Sequence, residues 1–226
     1  EEWEKIRKGF EAKSLGKLMK GCVGAIDGFF QRTNTPIRRE VSDVGAYYSG
    51  HYESMGFNCQ AACDARLRFL YFGVVAPGKW NDNATYPLCV DLKKAIESLP
   101  LGLYFVGDAA YSLHENLLVP FIGAHKLNPD KDAFNFDLSQ LRIRIEMAFG
   151  RLVNKFRILK REIEGLIHNR AAIIMACARL HNFIIDMDLE EDDAEEHEDQ
   201  VVPMPGAPCN MMYLPIMLDP DEEFEK

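Results

Sequence analysis

The stretch "YFVGDAAY" (residues 104–111) runs an apolar segment into an acid: Tyr104, Phe105 and Val106 lead through Gly107 to Asp108, and two alanines follow. A short run rich in aromatic and β-branched residues reads as a buried strand. Such a strand seldom ends on a carboxylate unless something holds the charge. The same pattern stands earlier in the chain, where "GCVGAID" (21–27) reads as a short buried strand ending on Asp27. Between the two, "FNCQAAC" (57–63) and "RLRFLYFGVV" (66–75) form a hairpin with its turn near Asp64 and Ala65. A fifth strand is expected at "NLLVPF" (116–121). If the first three strands make an antiparallel meander, the first, third and fourth point the same way. Asp27 and Asp108 then share one edge of the sheet, with Asp82 near it.

Helices fill the rest. Residues 1–20 carry Trp3, Ile6, Phe10, Leu15, Leu18 and Met19 on one side. "NDNATYPLCVDLKKAIESL" offers Asn81 or Asp82 as a cap and Leu88, Leu92, Ile96 and Leu99 as an apolar face. After the polar stretch "GAHKLNPDKDAFNF", a long helix is expected from about Asp137, with its stripe at Leu138, Leu141, Ile145, Phe149, Leu152, Phe156 and Leu159. A last helix, "NRAAIIMACARLHNFII", is apolar on most sides. Strands followed by a helix, more strands and then helices make a mixed α/β domain. Residues 28–55 mix Pro, Gly, Ser, Arg and Tyr without a period, a long connection of the functional or mobile kind.

Composition narrows the class. No apolar run approaches the roughly 20 residues that span a bilayer, and "EEWEKIRKGF" is charged rather than signal-like. A soluble, unsecreted protein with no membrane contact is expected. The six cysteines lack CxxC pairs, which points to reduced thiols rather than a disulfide frame or a zinc site. The net charge of −9 conceals an asymmetry. From Asp186 to Lys226 there are fifteen acids and one Lys, leaving 25 basic and 20 acidic residues before them, a balance of +5. The expected division is an N-terminal helical segment (1–20), a mixed α/β body (21–187) and an acidic, flexible tail (188–226).

A third acid is available to join Asp27 and Asp108. Glu146 lies beside Ile145, at the margin of the stripe, in a tract with seven basic residues (Arg142, Arg144, Arg151, Lys155, Arg157, Lys160, Arg161). A lone Glu in a basic helix suits a carboxylate beside a phosphate-binding surface. It equally suits an ordinary helical ion pair with Arg142. Asp64 is a turn residue and His181 a core histidine bonded to backbone. His51, His114, His125 and His168 show no ligand spacing.

The order of these segments resembles the catalytic domain of PIF/Harbinger-type transposases, within the DDE and RNase H-like group. The matching pieces are "VGAIDG", "FNCQAACD", "PGKWND", "VGDAAY", "LLVPF", "RIEMAFGRLVNKFRIL" and "ARLHN", in that order between Gly21 and Ile185. The resemblance implies an RNase H-like mixed five-stranded sheet flanked by helices, with Asp27, Asp108 and Glu146 as the catalytic, metal-holding triad. Phe29 and Phe30 replace the Thr-His common after the first acid, and Ala109 replaces a small polar residue. Three carboxylates without a clustered Cys or His favour Mg²⁺ or Mn²⁺. Two such ions would serve in-line phosphoryl transfer, first hydrolysing a DNA strand and then joining the freed 3′-hydroxyl to a target.

Converging charges should also raise one or more of the acid pKa values when metal is absent. Double-stranded DNA is the partner expected, met by Arg38, Arg39, Arg151, Lys155, Arg157 and Lys160 through phosphates and by Tyr47, Tyr48 and Tyr52 through sugar or base. The resemblance adds a nuclear location, with the cytoplasm as an alternative, and allows a separate DNA-binding partner protein and a homo-oligomer. It also implies an N-terminal DNA-binding segment that these residues do not include. A host-adopted relative that uses the fold for protein or chromatin contacts without cutting is the alternative from a different class. A structure-specific nuclease without strand joining is a third.

Overall fold

The computed structural model describes residues 2–14, 19–123 and 128–196, with side chains to Asp188. The acidic tail expected from 188 onward lies largely outside the described residues. A six-stranded sheet is built from β1 (Cys22–Arg32), β2 (Tyr48–Ser49), β3 (Ser54–Cys63), β4 (Phe69–Pro77), β5 (Tyr104–Val106) and β6 (Leu117–Leu118). β3 lies between β1 and β4, antiparallel to both, while β1 pairs in parallel with β5 and β5 with β6. The two residues of β2 add to β3 through Tyr48 opposite Met55 and supply the strand beyond the five expected. This is the mixed, helix-flanked sheet of an RNase H-like fold, with β1, β4 and β5 running the same way.

Two apolar layers cover the sheet. One face carries α4 (Pro129–Lys155) and α5 (Ile167–Glu196), with Leu138, Leu141, Ile145, Ala148 and Leu152 meeting Phe69, Phe72, Ile174 and Ala178. The other face carries α3 (Val90–Glu97), whose Leu92 and Ile96 pack with Val23, Ile26 and Phe105. α1 (Glu2–Lys13) joins the larger layer through Phe10, which is fully buried. Burial on this scale, at about 25 cal/mol per Å² of apolar surface, holds the sheet to its helices.

Several boundaries differ from those read in the sequence. β1 does not end at Asp27 but runs on to Arg32, because β3 continues to pair with it as far as Gly56. α4 begins at Pro129 rather than near Asp137. Asn128 caps it by accepting from the Asp130 amide at 2.8 Å, and Pro129 occupies the first turn, where no amide donor is needed. Pro87 splits the helix after β4 into α2 (Asp82–Thr85), a 3₁₀ turn and α3. The last helix, read in the sequence as far as Ile185, runs from Ile167 to Glu196. The fifth strand is confined to Leu117–Leu118.

The five cysteines among the described residues are buried and free. No helix among those residues is long and apolar enough to cross a membrane. Asp64 is buried and accepts from the Arg66 and Arg68 amides, so it fastens the hairpin turn as a backbone partner. His181 bonds the Leu67 carbonyl at 2.8 Å.

Candidate active site

Parallel pairing of β1 with β5 sets the two aspartates beside each other. Ala25 is registered with Val106, and Asp27 and Asp108 each follow two residues on. Asp108 lies just past the strand, where its Oδ1 accepts from the Ala110 amide at 2.9 Å and closes a tight turn. Asp27 sits within β1, with Oδ1 accepting from the Gly28 amide at 2.9 Å. Its carboxyl is pushed up to about 7, first by burial and then, against the pull of Gly28 and Arg142, by the charges of Asp108 and Asp82.

Glu146 approaches from α4 on the same face. Arg142, one turn earlier, donates to Glu146 Oε1 at 2.6 Å, and its other terminal nitrogen reaches Asp27 Oδ2 at 3.4 Å. The helical ion pair is therefore present, and it also ties Glu146 to the first strand acid. Among the described residues, no group of three Asp, Glu, His or Cys side chains is close enough to hold a metal ion as it stands.

Asp82 is the functional candidate that the triad omitted. Asn81, not Asp82, caps α2, through a bond from the Ala84 amide. That leaves Asp82 free to fold back over β1 and β3. Its Oδ1 accepts from Gln60 at 2.7 Å and Asn58 at 3.0 Å, and Tyr111 in turn donates to Gln60 at 2.7 Å. A β-carbon on Gly28 would overlap the Asp82 carboxylate, so the glycine after Asp27 opens the sheet surface to a second acid. Asp27 faces α4 through Arg142, while Asp82 lies against the opposite face at Gly28. The available signal was the period-2 alternation along β1 and β3, which puts Gly28, Phe30, Asn58 and Gln60 on one face.

The basic residues expected to meet DNA are spread over several elements. Arg151 and Lys155 lie on the flank of α4 toward α5. Arg151 bonds Asp188 at 2.6 Å, and both line a hollow of about 80 Å³ with His181 and Ile184. Arg142 and Glu146 occupy the opposite flank. The basic tract is also not one helix: α4 ends at Lys155, and Arg157 and Lys160 sit exposed on a following 3₁₀ turn. That segment then meets the end of β1, where Ile163 bridges Thr33. Arg38 and Arg39 are exposed on a turn beyond the same strand end. Of the three tyrosines, Tyr47 packs on Phe57, whereas Tyr48 and Tyr52 are exposed.

Comparison with known proteins gives the family. The model of the family described as "DDE superfamily endonuclease" matches residues 26–182, a span that contains all four acids. The chain belongs to the DDE superfamily endonucleases. Its similarity to curated proteins agrees with the PIF/Harbinger resemblance. It is 31% identical over 195 residues to "Protein ALP1-like" of Arabidopsis thaliana, covering 79% of this chain. It is 25% identical over 171 residues to "Putative nuclease HARBI1" of Rattus norvegicus, covering 74%. This chain spans about half the length of these relatives, 47% of each. No solved structure matches it.

Proposed function

We propose that this DDE domain is a divalent-metal-dependent endonuclease and strand transferase acting on phosphodiester bonds of double-stranded DNA. The observation that carries the reading is the registered pair Asp27 and Asp108, with Glu146 tied to Asp27 through Arg142. The donor chemistry fits a hard cation: the converging groups are carboxylates, and burial with neighbouring negative charge already presses Asp27 toward protonation. Asp27, Asp108 and Glu146 would hold Mg²⁺ or Mn²⁺, two ions in all, which when bound polarise the phosphate and the attacking and leaving oxygens.

The chain's own groups do the rest. The Gly28 and Ala110 amides fix one oxygen of each aspartate, and Arg142 faces the other oxygen of Asp27. The amides of Asn58 and Gln60 hold Asp82 behind β1, where its negative charge acts on Asp27. Arg142 neutralises Asp27 and Glu146 together and keeps two like charges near each other in the absence of metal. A nuclear location follows from the substrate.

One observation favours a second reading, in which the fold serves protein or chromatin contacts without cutting. Arg142 takes up both Asp27 and Glu146, and among the described residues no three-acid group stands ready for an ion. Calorimetric titration with Mn²⁺ separates the two. Wild type should bind, and Asp108→Asn should bind at least tenfold more weakly, with Mn²⁺-dependent nicking of duplex DNA abolished in parallel. Absence of binding at millimolar Mn²⁺ in wild type would overturn the nuclease reading.

A further inference from the structure

We propose that the rings of Phe30 and Tyr52 form a stacking platform for an unpaired nucleobase of bound DNA, on the sheet face that carries Asp82. The inference rests on the nuclease reading and adds the form of its substrate: DNA with an unpaired base.

The platform is built from two segments. Phe30 stands on β1 on the same face as Gly28, over which Asp82 lies. Tyr52 comes from the tip between β2 and β3, whose pairing of Ser49 with Ser54 leaves Gly50–Glu53 as the turn. Glu53 holds a left-handed backbone (φ 49°), and the Tyr52 amide donates to Ser49 Oγ at 3.4 Å. That tip lays Tyr52 on Phe30, with ring centroids 4.3 Å apart and planes within 9°. His51 stands edge-on to Tyr52 at 4.7 Å.

Its surroundings indicate the ligand. Tyr52 is 47% exposed, so the stack forgoes much of the burial that normally stabilises an aromatic pair. Trp80, two residues before Asp82, is 45% exposed, and its carbonyl accepts from the same Asn58 amide that holds Asp82. Burial, and then the negative charges of Asp82 and Asp27, raise the pKa of the Tyr52 hydroxyl. From Tyr47 to Ser54 there is no Lys or Arg, and Glu53 is the one acid. A phosphate gains nothing from such a rim. The uncharged face of a base does, because stacking on aromatic rings needs no counter-charge and tolerates any sequence. A base leaves a duplex most readily where it is unpaired or mismatched.

The test uses the whole chain with Ca²⁺, so that binding is read without cleavage. Two duplexes are compared, one fully paired and one with a single unpaired 2-aminopurine. Wild type should bind the second about tenfold more tightly and quench its fluorescence. Tyr52→Ala and Phe30→Ala should each abolish the preference, and Tyr52→Phe should keep it. Equal affinity for the two duplexes in wild type, or an undiminished preference in Tyr52→Ala, would overturn the platform. If Mn²⁺ calorimetry still shows the acid site in that case, only the platform falls. If Mn²⁺ binding is also missing, the nuclease reading falls with it. A preference for aromatic peptides over either DNA would reassign the surface to protein contact.

Discussion

At Asp27 the demands of folding and of the site oppose each other. Its carboxyl, raised to about 7 by burial and then by neighbouring acids, holds its proton more tightly in the folded chain than in the unfolded one, where Asp titrates near about 4. The stability tied to that proton is complete below about pH 4 and is lost as pH rises through about 7. Metal-free wild type should therefore lose several degrees of melting temperature between pH 4.5 and 7.5, relative to a shallower curve for Asp27→Asn. Parallel curves for the two proteins would remove Asp27 as the cause. Asp27 and Asp108 were legible because each ends an apolar run. Asp82 read equally well as a cap, and only the competing bond from the Ala84 amide to Asn81 decided against that.

β1 and α4 show how one element serves the site on one face and packing on another. Along β1 the pleat sends Asp27 toward Arg142 of α4 and presents Gly28 to Asp82 on the other face. Gly28→Ala would force the Asp82 carboxylate from its amide partners. The expected cost is roughly 1–3 kcal/mol, the scale of an overpacked interior position. Urea denaturation reads it, and an unchanged midpoint would show that Asp82 is not lodged there. On α4 the apolar stripe is legible in the sequence, but the helix begins earlier than its apolar residues do. The Asn128-Pro129 start is a capping signal within a polar stretch, so hydropathy alone passes over it.

Over the whole molecule, charge separates by sign. The body carries the excess of +5 and the last residues the acids, yet the cations expected to meet DNA are spread over a helix flank and two turns, while Arg142 stands against the acids. Arg157 and Lys160 are exposed beyond the end of α4, whereas Arg151 is already engaged by Asp188. Replacing Arg157 and Lys160 by Ala should weaken duplex binding and lower the slope of log K against log salt by about 2, since each phosphate left without its cation accounts for about 0.9. Arg151→Ala should change that slope less, because removing it also frees Asp188. Salt titrations by fluorescence anisotropy distinguish the two, and an unchanged slope in the double variant would move the duplex off this turn.

What the sequence by itself determined was local: which runs are strands, which stripe of the long helix is buried, and which acids end apolar segments. Periodicity, caps and turn chemistry depend on neighbours along the chain, and they are written there. The order of seven short segments added the family. The tertiary structure decided the contacts between distant parts: Arg142 reaching Asp27 across 115 residues, Asp82 lodged over Gly28, and Tyr52 laid on Phe30. It also placed Glu146 and Arg151 on opposite flanks of one helix. Such contacts depend on which strands pair and in what register. That choice is settled by burial over the whole core, and no short stretch encodes it.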